Sequence, residues 1–215
     1  MTTLDAATVT AQVDPRHWRV VLGRLRGVFA TETFERGVVL VRQIGDLAEQ
    51  AGHHPDVDLR YLAVHVSLVS HDAGGLTPRD VDLADRISAA ADALGIAGAP
   101  ATPQVAEIAV DALDIPAIRP FWQAALGYDD GEGNGLVDPT GIGPPVWFQQ
   151  MDAPRPQRNR IHLDVNVPHT EAEARVSAAL AAGGHLVSDV RAPAFWVLAD
   201  AEGNEVCVCT WQNRD

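Results

Sequence analysis

The sequence predicts an α+β chain built in two parts: an antiparallel sheet with helices on one face, then tandem βαβββ repeats. Three observations predict it. Residues 63–70 alternate, with Val64, Val66 and Leu68 on one side and His65, Ser67 and Val69 on the other, as in a strand with one buried face. Phe34, Val38, Val41, Ile44 and Ala48 recur at helical spacing and stop at Gly52. After a Pro/Gly-rich stretch, the second half of the chain repeats its own pattern.

Taken in order, residues 4–12 read as a short helix, and Trp18–Leu22 and Leu25–Phe29 as strands joined around Gly23. The helix over 34–51 follows, then strands at 57–61 and 63–70. Thr77-Pro78-Arg79-Asp80 opens a further helix, with Thr as N-cap, Pro at N1 and a carboxylate at N3; it runs to about Leu94 and stops at Gly95. The order α-β-β-α-β-β-α places helices on one face of the sheet. Residues 95–104, GIAGAPATPQ, read as a linker. The expected division is 1–97, a linker at 98–103, and 104–215.

In the second part, residues 104–111 alternate like a strand, and 116–126 read as a helix ending at Gly127. Leu136-Val137-Asp138-Pro139-Thr140-Gly141 then leads into Val146-Trp147-Phe148. The second copy starts at Arg160-Ile161-His162-Leu163-Asp164-Val165 and has a helix over about 170–182, ending at Gly183. Leu198-Ala199-Asp200-Ala201-Glu202-Gly203 leads into Val206-Cys207-Val208. Leu-x-Asp-x-x-Gly thus precedes the last strand of both copies.

Composition removes several function classes. The 215 residues are 47% hydrophobic and carry a formal net charge of −13, which argues against nucleic acid as the main ligand. The charge is uneven: residues 1–97 hold 9 Arg against 13 Asp+Glu, and residues 98–215 hold 7 Arg against 16. All sixteen basic residues are Arg, which excludes Schiff-base lysine chemistry and reads as a GC-rich bacterial coding bias. No apolar run approaches the roughly 18 residues of a membrane span. The first residues lack a basic start followed by an apolar block, so a cytoplasmic protein is expected. Cys207 and Cys209 would share a strand face, too poorly placed for a disulfide, and read as structural thiols.

The chemistry concentrates in histidine, whose ordinary pKa lies near neutrality. His53-His54-Pro55 follows the helix stop, and Pro55 forces an extended exit, so the pair sits on a turn. His71 ends a strand just before Ala73-Gly74-Gly75. No Cys and no carboxylate at metal-ligand spacing accompanies the three, which favours proton transfer over a three-His zinc site. His65 lacks such a setting, and His17 reads as surface.

Glu49-x-x-x-His53-His54-Pro55, with Tyr61, Val64, Ser70-His71, Gly75-Leu76-Thr77 and Asp80, resembles the signature of pterin-4a-carbinolamine dehydratases; Trp18 and the helix around Phe34 fit its upstream part. The resemblance covers roughly residues 3–94. It implies that a 4a-hydroxytetrahydropterin loses water to give the quinonoid dihydropterin, with no metal or cofactor. It also implies that His53, His54 and His71 line the pterin site, with His54 and His71 as acid and base. Glu49 would hold an imidazole tautomer. Asp80 matches the family's acidic site residue, although an N3 carboxylate equally serves a helix start. Val57 departs from the aromatic residue that many members carry after HHP. The resemblance also implies self-association.

Residues 104–212 resemble the glyoxalase-like branch of the vicinal oxygen chelate superfamily, on Phe121-Trp122-x-x-x-Leu126-Gly127-Tyr128, Asn159-Arg160-Ile161-His162-Leu163-Asp164 and Asp200-Ala201-Glu202-Gly203-Asn204-Glu205. In that superfamily, His or Glu on the first strand of each repeat and a carboxylate on the last hold a divalent metal. Here Glu107 and His162 are the candidate ligands, Gln149 is a weak neutral donor, and Cys207 stands where Glu is expected. The set is incomplete, and a metal-free domain is the expectation. The basic run Pro154–Arg160 reads as a solvated loop or as a clamp for an anion. Two alternatives to the dehydratase remain open on sequence: a non-catalytic binding or assembly module on the same fold, and a metal-dependent lyase or dioxygenase in the second part.

Overall fold

Alternation and helical spacing resolve into the expected element order over the first half of the chain. Helix α1 (Ala6–Gln12) precedes the hairpin of β1 (Trp18–Val21) and β2 (Arg24–Ala30). Helix α2 (Phe34–Ala51) precedes the hairpin of β3 (Asp56–Arg60) and β4 (Ala63–Leu68), and α3 (Pro78–Ala93) follows. This architecture comes from a computed structural model that describes residues 2–154, 163–167, 169–210 and 212–213. The chain divides into two units, Met1–Val105 and Ala106–Asp215.

In the first unit the strands run in the order β1-β2-β4-β3, each pair antiparallel. Leu25 and Phe29 of β2 and Val64, Val66 and Leu68 of β4 point into a core shared with Leu40 and Ile44 of α2 and Leu83 and Ile87 of α3. One sheet face carries the apolar set because side chains alternate along a strand. Gly27 stands opposite Trp18, where a Cβ would lie 2.9 Å from the indole. The missing side chain lets the indole settle edge-on to Phe29 and donate from Nε1 to Ser88 Oγ at 2.9 Å.

Two expectations need correction here. The stretch read as linker begins as structure: β5 (Ala97–Gly98) pairs with β2, and Ile96 is buried. The sheet therefore claims Gly98, which was assigned to the linker. His17 is not a surface residue; it is 1% exposed, its ring lying against Phe29 and under Gly98, whose Cβ would fall 2.5 Å from the imidazole.

The second unit repeats one plan twice. The first copy runs β6 (Ile108–Ala112), α4 (Ile115–Leu126), β7 (Asp129–Asp130), β8 (Leu136–Val137), β9 (Val146–Gln150). The second runs β10 (Leu163–Asn166), α5 (Ala172–Ala181), β11 (His185–Ser188), β12 (Phe195–Ala199), β13 (Glu205–Cys209). Each copy makes a four-stranded sheet in which first and last strands pair in parallel, in the orders β6-β9-β8-β7 and β10-β13-β12-β11. The first strand starts at Ile108, later than the alternation suggested, so Glu107 lies ahead of it. Phe121, Trp122 and Ala125 of α4 and Val176 and Ala179 of α5 share one core with Val110, Phe148, Leu198, Val206 and Val208.

The repeated Leu-x-Asp-x-x-Gly builds the turn before each last strand. Asp138 Oδ2 accepts from the Gly143 and Ile142 N–H groups at 2.6 and 3.1 Å, and Gly141 N–H donates to the Asp138 carbonyl. Asp200 Oδ1 accepts from the Glu202 and Asn204 N–H groups at 2.9 Å, with Gly203 N–H on its carbonyl. Gly141 and Gly203 take φ of 69° and 88°, a region that favours glycine. Asp200 does more than its counterpart: fully buried, its Oδ2 accepts from Trp122 Nε1 at 2.9 Å, so a turn of the second copy grips the helix of the first. Glu202 adds a second grip, accepting from Leu113 and Asp114 N–H at the start of α4. Asp200→Ala strands these buried donors and should lower the stability of the second unit by about 3 kcal/mol. A denaturant titration followed by tryptophan fluorescence measures it, and a loss below about 1 kcal/mol contradicts this account.

Candidate active site

The end of α2 sets the first histidine. Gly52 takes φ 57°, its N–H donates to the Glu49 carbonyl, and His53 N–H reaches back to the Ala48 carbonyl. This glycine cap turns the chain under the helix end. The His53 side chain is therefore buried, while His54, one residue on, keeps 61% of its side chain exposed. Pro55 then delivers the chain into β3.

The partner of His53 comes from α3. Asp80 Oδ1 lies 2.8 Å from His53 Nε2. Its Oδ2 accepts from Thr77 N–H and from Ser70 Oγ, each at 2.8 Å; Thr77 Oγ1 lies 2.8 Å from Ser70 Oγ and 3.2 Å from Oδ2 and has one proton to give to either. Thr77 and Asp80 form a capping box at the α3 N-terminus. The two readings of Asp80 thus hold together: one oxygen caps the helix, the other holds the imidazole. The carboxylate has no accessible surface, and its Oδ1 faces the His53 imidazole. A carboxylate oxygen accepts, so in this pair His53 donates from Nε2.

His71 opens a short turn, His71–Ala73, in a loop closed by Ser70 and Gly75, which exchange both backbone hydrogen bonds; its side chain is exposed. Asp56 pairs with Ser67, so the residues just before β3 and just after β4 lie at one end of the sheet. His53, His54 and His71 are gathered there by register. Glu49 Oε1 lies 3.0 Å from His54 Nε2, in a pair open to solvent. Sequence reasoning overlooked Ser70 and Thr77 as partners of Asp80. The signal was present: a hydroxyl beside His71 and another at the helix cap.

In the second unit no group of three or more His, Cys, Asp or Glu among the described residues could hold a metal ion. Glu107 and Gln149 are exposed; His162 and the basic residues of 155–160 lie outside the described residues. Cys207 pairs across β10–β13 with Asp164 and is 5% exposed. Burial, with the Asp164 carboxylate beside it, pushes its thiol up to about 12. Near neutrality the thiol is therefore protonated and packs as a small apolar group beside Asp164.

Fold and site together define a two-unit α+β protein whose first unit gathers three histidines, one of them held by a buried carboxylate. The profile of the pterin 4 alpha carbinolamine dehydratase family matches residues 2–90, and that of the glyoxalase-like domain matches residues 107–209. A putative pterin-4-alpha-carbinolamine dehydratase of Acidobacterium capsulatum is 44% identical over 72 residues, 34% of this chain and 78% of that one. One from Nocardia farcinica is 40% identical over 83 residues, 39% of this chain and 87% of that one. A crystal structure of a glyoxalase/bleomycin resistance protein/dioxygenase family enzyme from Burkholderia phytofirmans is 20% identical, covers 50% of this chain and 98% of its own, and has a TM-score of 0.42. The chain belongs to the pterin-4a-carbinolamine dehydratase family through its first unit and carries a glyoxalase-like domain in its second.

Three outcomes test this geometry. Asp80→Ala should destabilise the first unit by about 3 kcal/mol, since it uncaps α3 and strands buried donors. Glu49→Ala, which removes an exposed pair, should cost under about 1 kcal/mol in the same thermal or denaturant melt. Cys207 should resist alkylation by iodoacetamide at pH 8 in the folded protein and react once unfolded, as mass spectrometry would read.

Proposed function

We propose that the first unit dehydrates a 4a-hydroxytetrahydropterin to the quinonoid dihydropterin. The observation that carries this reading is the His53–Asp80 pair, buried within the stretch matched by the dehydratase profile and at the same sheet end as His54 and His71. The reaction needs two proton movements and no redox step. The C4a hydroxyl leaves as water after taking a proton from an imidazolium. The N5 proton passes to a neutral imidazole as the C4a–O bond breaks and a C=N bond forms. Histidine can stand in both forms near neutrality. His54 and His71, exposed at the sheet end, are the acid and base. His53 is fixed by Asp80 and orients the pterin through Nδ1, and Glu49 steers the His54 ring. The three histidines form the catalytic set, Glu49 and Asp80 serve it, and no cofactor takes part. The ligand of the glyoxalase-like domain is a separate question from this chemistry.

The assay generates the 4a-carbinolamine with a tetrahydropterin-dependent hydroxylase and follows the absorbance of the quinonoid product. The full chain should exceed the spontaneous rate, and His54→Ala and His71→Ala should each lose about 10²-fold or more. A wild-type rate equal to the spontaneous one overturns the proposal.

A further inference from the structure

The sheet face turned away from the core of the first unit concentrates positive charge in a chain of net charge −13. Arg19, Arg26, Ser67 and Asp56 stand in one cross-strand row over β1, β2, β4 and β3. Arg24 shares their face two residues before Arg26. Arg19 and Arg26 are direct cross-strand neighbours of like charge, an arrangement that costs stability. Arg19 turns aside to the Pro15 and Trp18 carbonyls, each at 2.6 Å. Asp56 is taken by Arg24 at 2.7 Å, which also reaches Ser67 Oγ at 3.2 Å, and the neighbouring Asp58 is taken by Arg60. Arg26 is left over. Its Nε is buried and finds no hydrogen-bond partner among the described residues. Burial, and the Arg24 charge beside it, depress its pKa.

We propose that this face holds a phosphate group, bound by Arg26 with Arg24 and the Ser67 hydroxyl. An oxyanion would meet the Arg26 guanidinium, whose Nε is left without a partner, and supply the negative charge that separates Arg24 from Arg26. A guanidinium fork plus a hydroxyl suits a phosphate with several acceptor oxygens. The site stands independently of the dehydratase reading, because its test measures binding and not turnover.

The test titrates the full chain with inorganic phosphate at constant ionic strength, following backbone amide and arginine Nε–H NMR signals. The Arg26 Nε–H and the Ser67 amide should shift saturably, with a Kd of about 1 mM. Arg26→Gln should weaken binding by about tenfold or more, and Ser67→Ala, which keeps the sheet's charges, by about threefold. Arg86→Ala, a surface arginine paired with Gln50, should bind as wild type does. Thermal melts establish that each variant folds, and Ser67→Ala carries the test if Arg26→Gln does not. Absence of a saturable shift to about 50 mM, unchanged affinity in the Arg26 or Ser67 variant, or acetate binding tighter than phosphate overturns the assignment.

Discussion

The Asp80 carboxylate is the constraint that joins three segments at the histidine end of the first unit. One oxygen collects Thr77 and Ser70 and so fixes the start of α3 and the end of β4; the other fixes the His53 ring. A helix cap, a strand end and an imidazole from the end of α2 are thereby referred to one buried group. Such a group is costly to bury unless every lone pair is used, and here the donors converge on it from three segments. Removing any one donor leaves the others in place, but removing the carboxylate releases all three. The site's rigidity and the unit's stability are therefore the same interaction seen from two sides.

The second unit answers the same problem of joining separate segments with a turn. Asp138 and Asp200 occupy the same place in the two copies and fold the same glycine-closed turn, yet only Asp200 extends to a tryptophan of the other copy. The repeat explains the turn, and the departure from the repeat explains how the copies are locked. Glu202, which holds the start of α4, has Thr140 at the corresponding place in the first copy, and Asp114, the side-chain cap of α4, has no counterpart cap at the start of α5.

Local pattern carried the element order and the repeat because both depend on periodicity and on glycine at a chain reversal. Helix 34–51 and its stop at Gly52 were legible for this reason. Non-local facts were not. His17 looked like surface because nothing near it in sequence tells that Ala97–Gly98 returns to pair with β2 and cover it. Asp80 presented two roles as alternatives, because spacing cannot show that a carboxylate has its two oxygens turned to different partners. Nothing local marks Arg24 or Arg26; strand pairing alone places Arg19 beside Arg26, and Asp56 beside Arg24. Cys207 reads as a structural thiol from its place in an apolar run, but its burial against Asp164 depends on a strand pairing that no motif reports.

The three histidines differ in a way their shared motif hides. The proton exchange we propose needs rings that water and ligand can reach, and His54 and His71 are exposed. A ring that must hold a ligand in one orientation needs the opposite: burial, one tautomer and a partner that does not move. His53 meets this second need, because its Nε2 is committed to a carboxylate that is itself committed to a helix cap. Adjacent residues with opposite requirements are accommodated by the glycine cap before them, which turns one side chain under the helix and leaves the next outside. The division of labour we propose between orienting and proton-transferring imidazoles thus originates in the backbone of Gly52, one residue before His53.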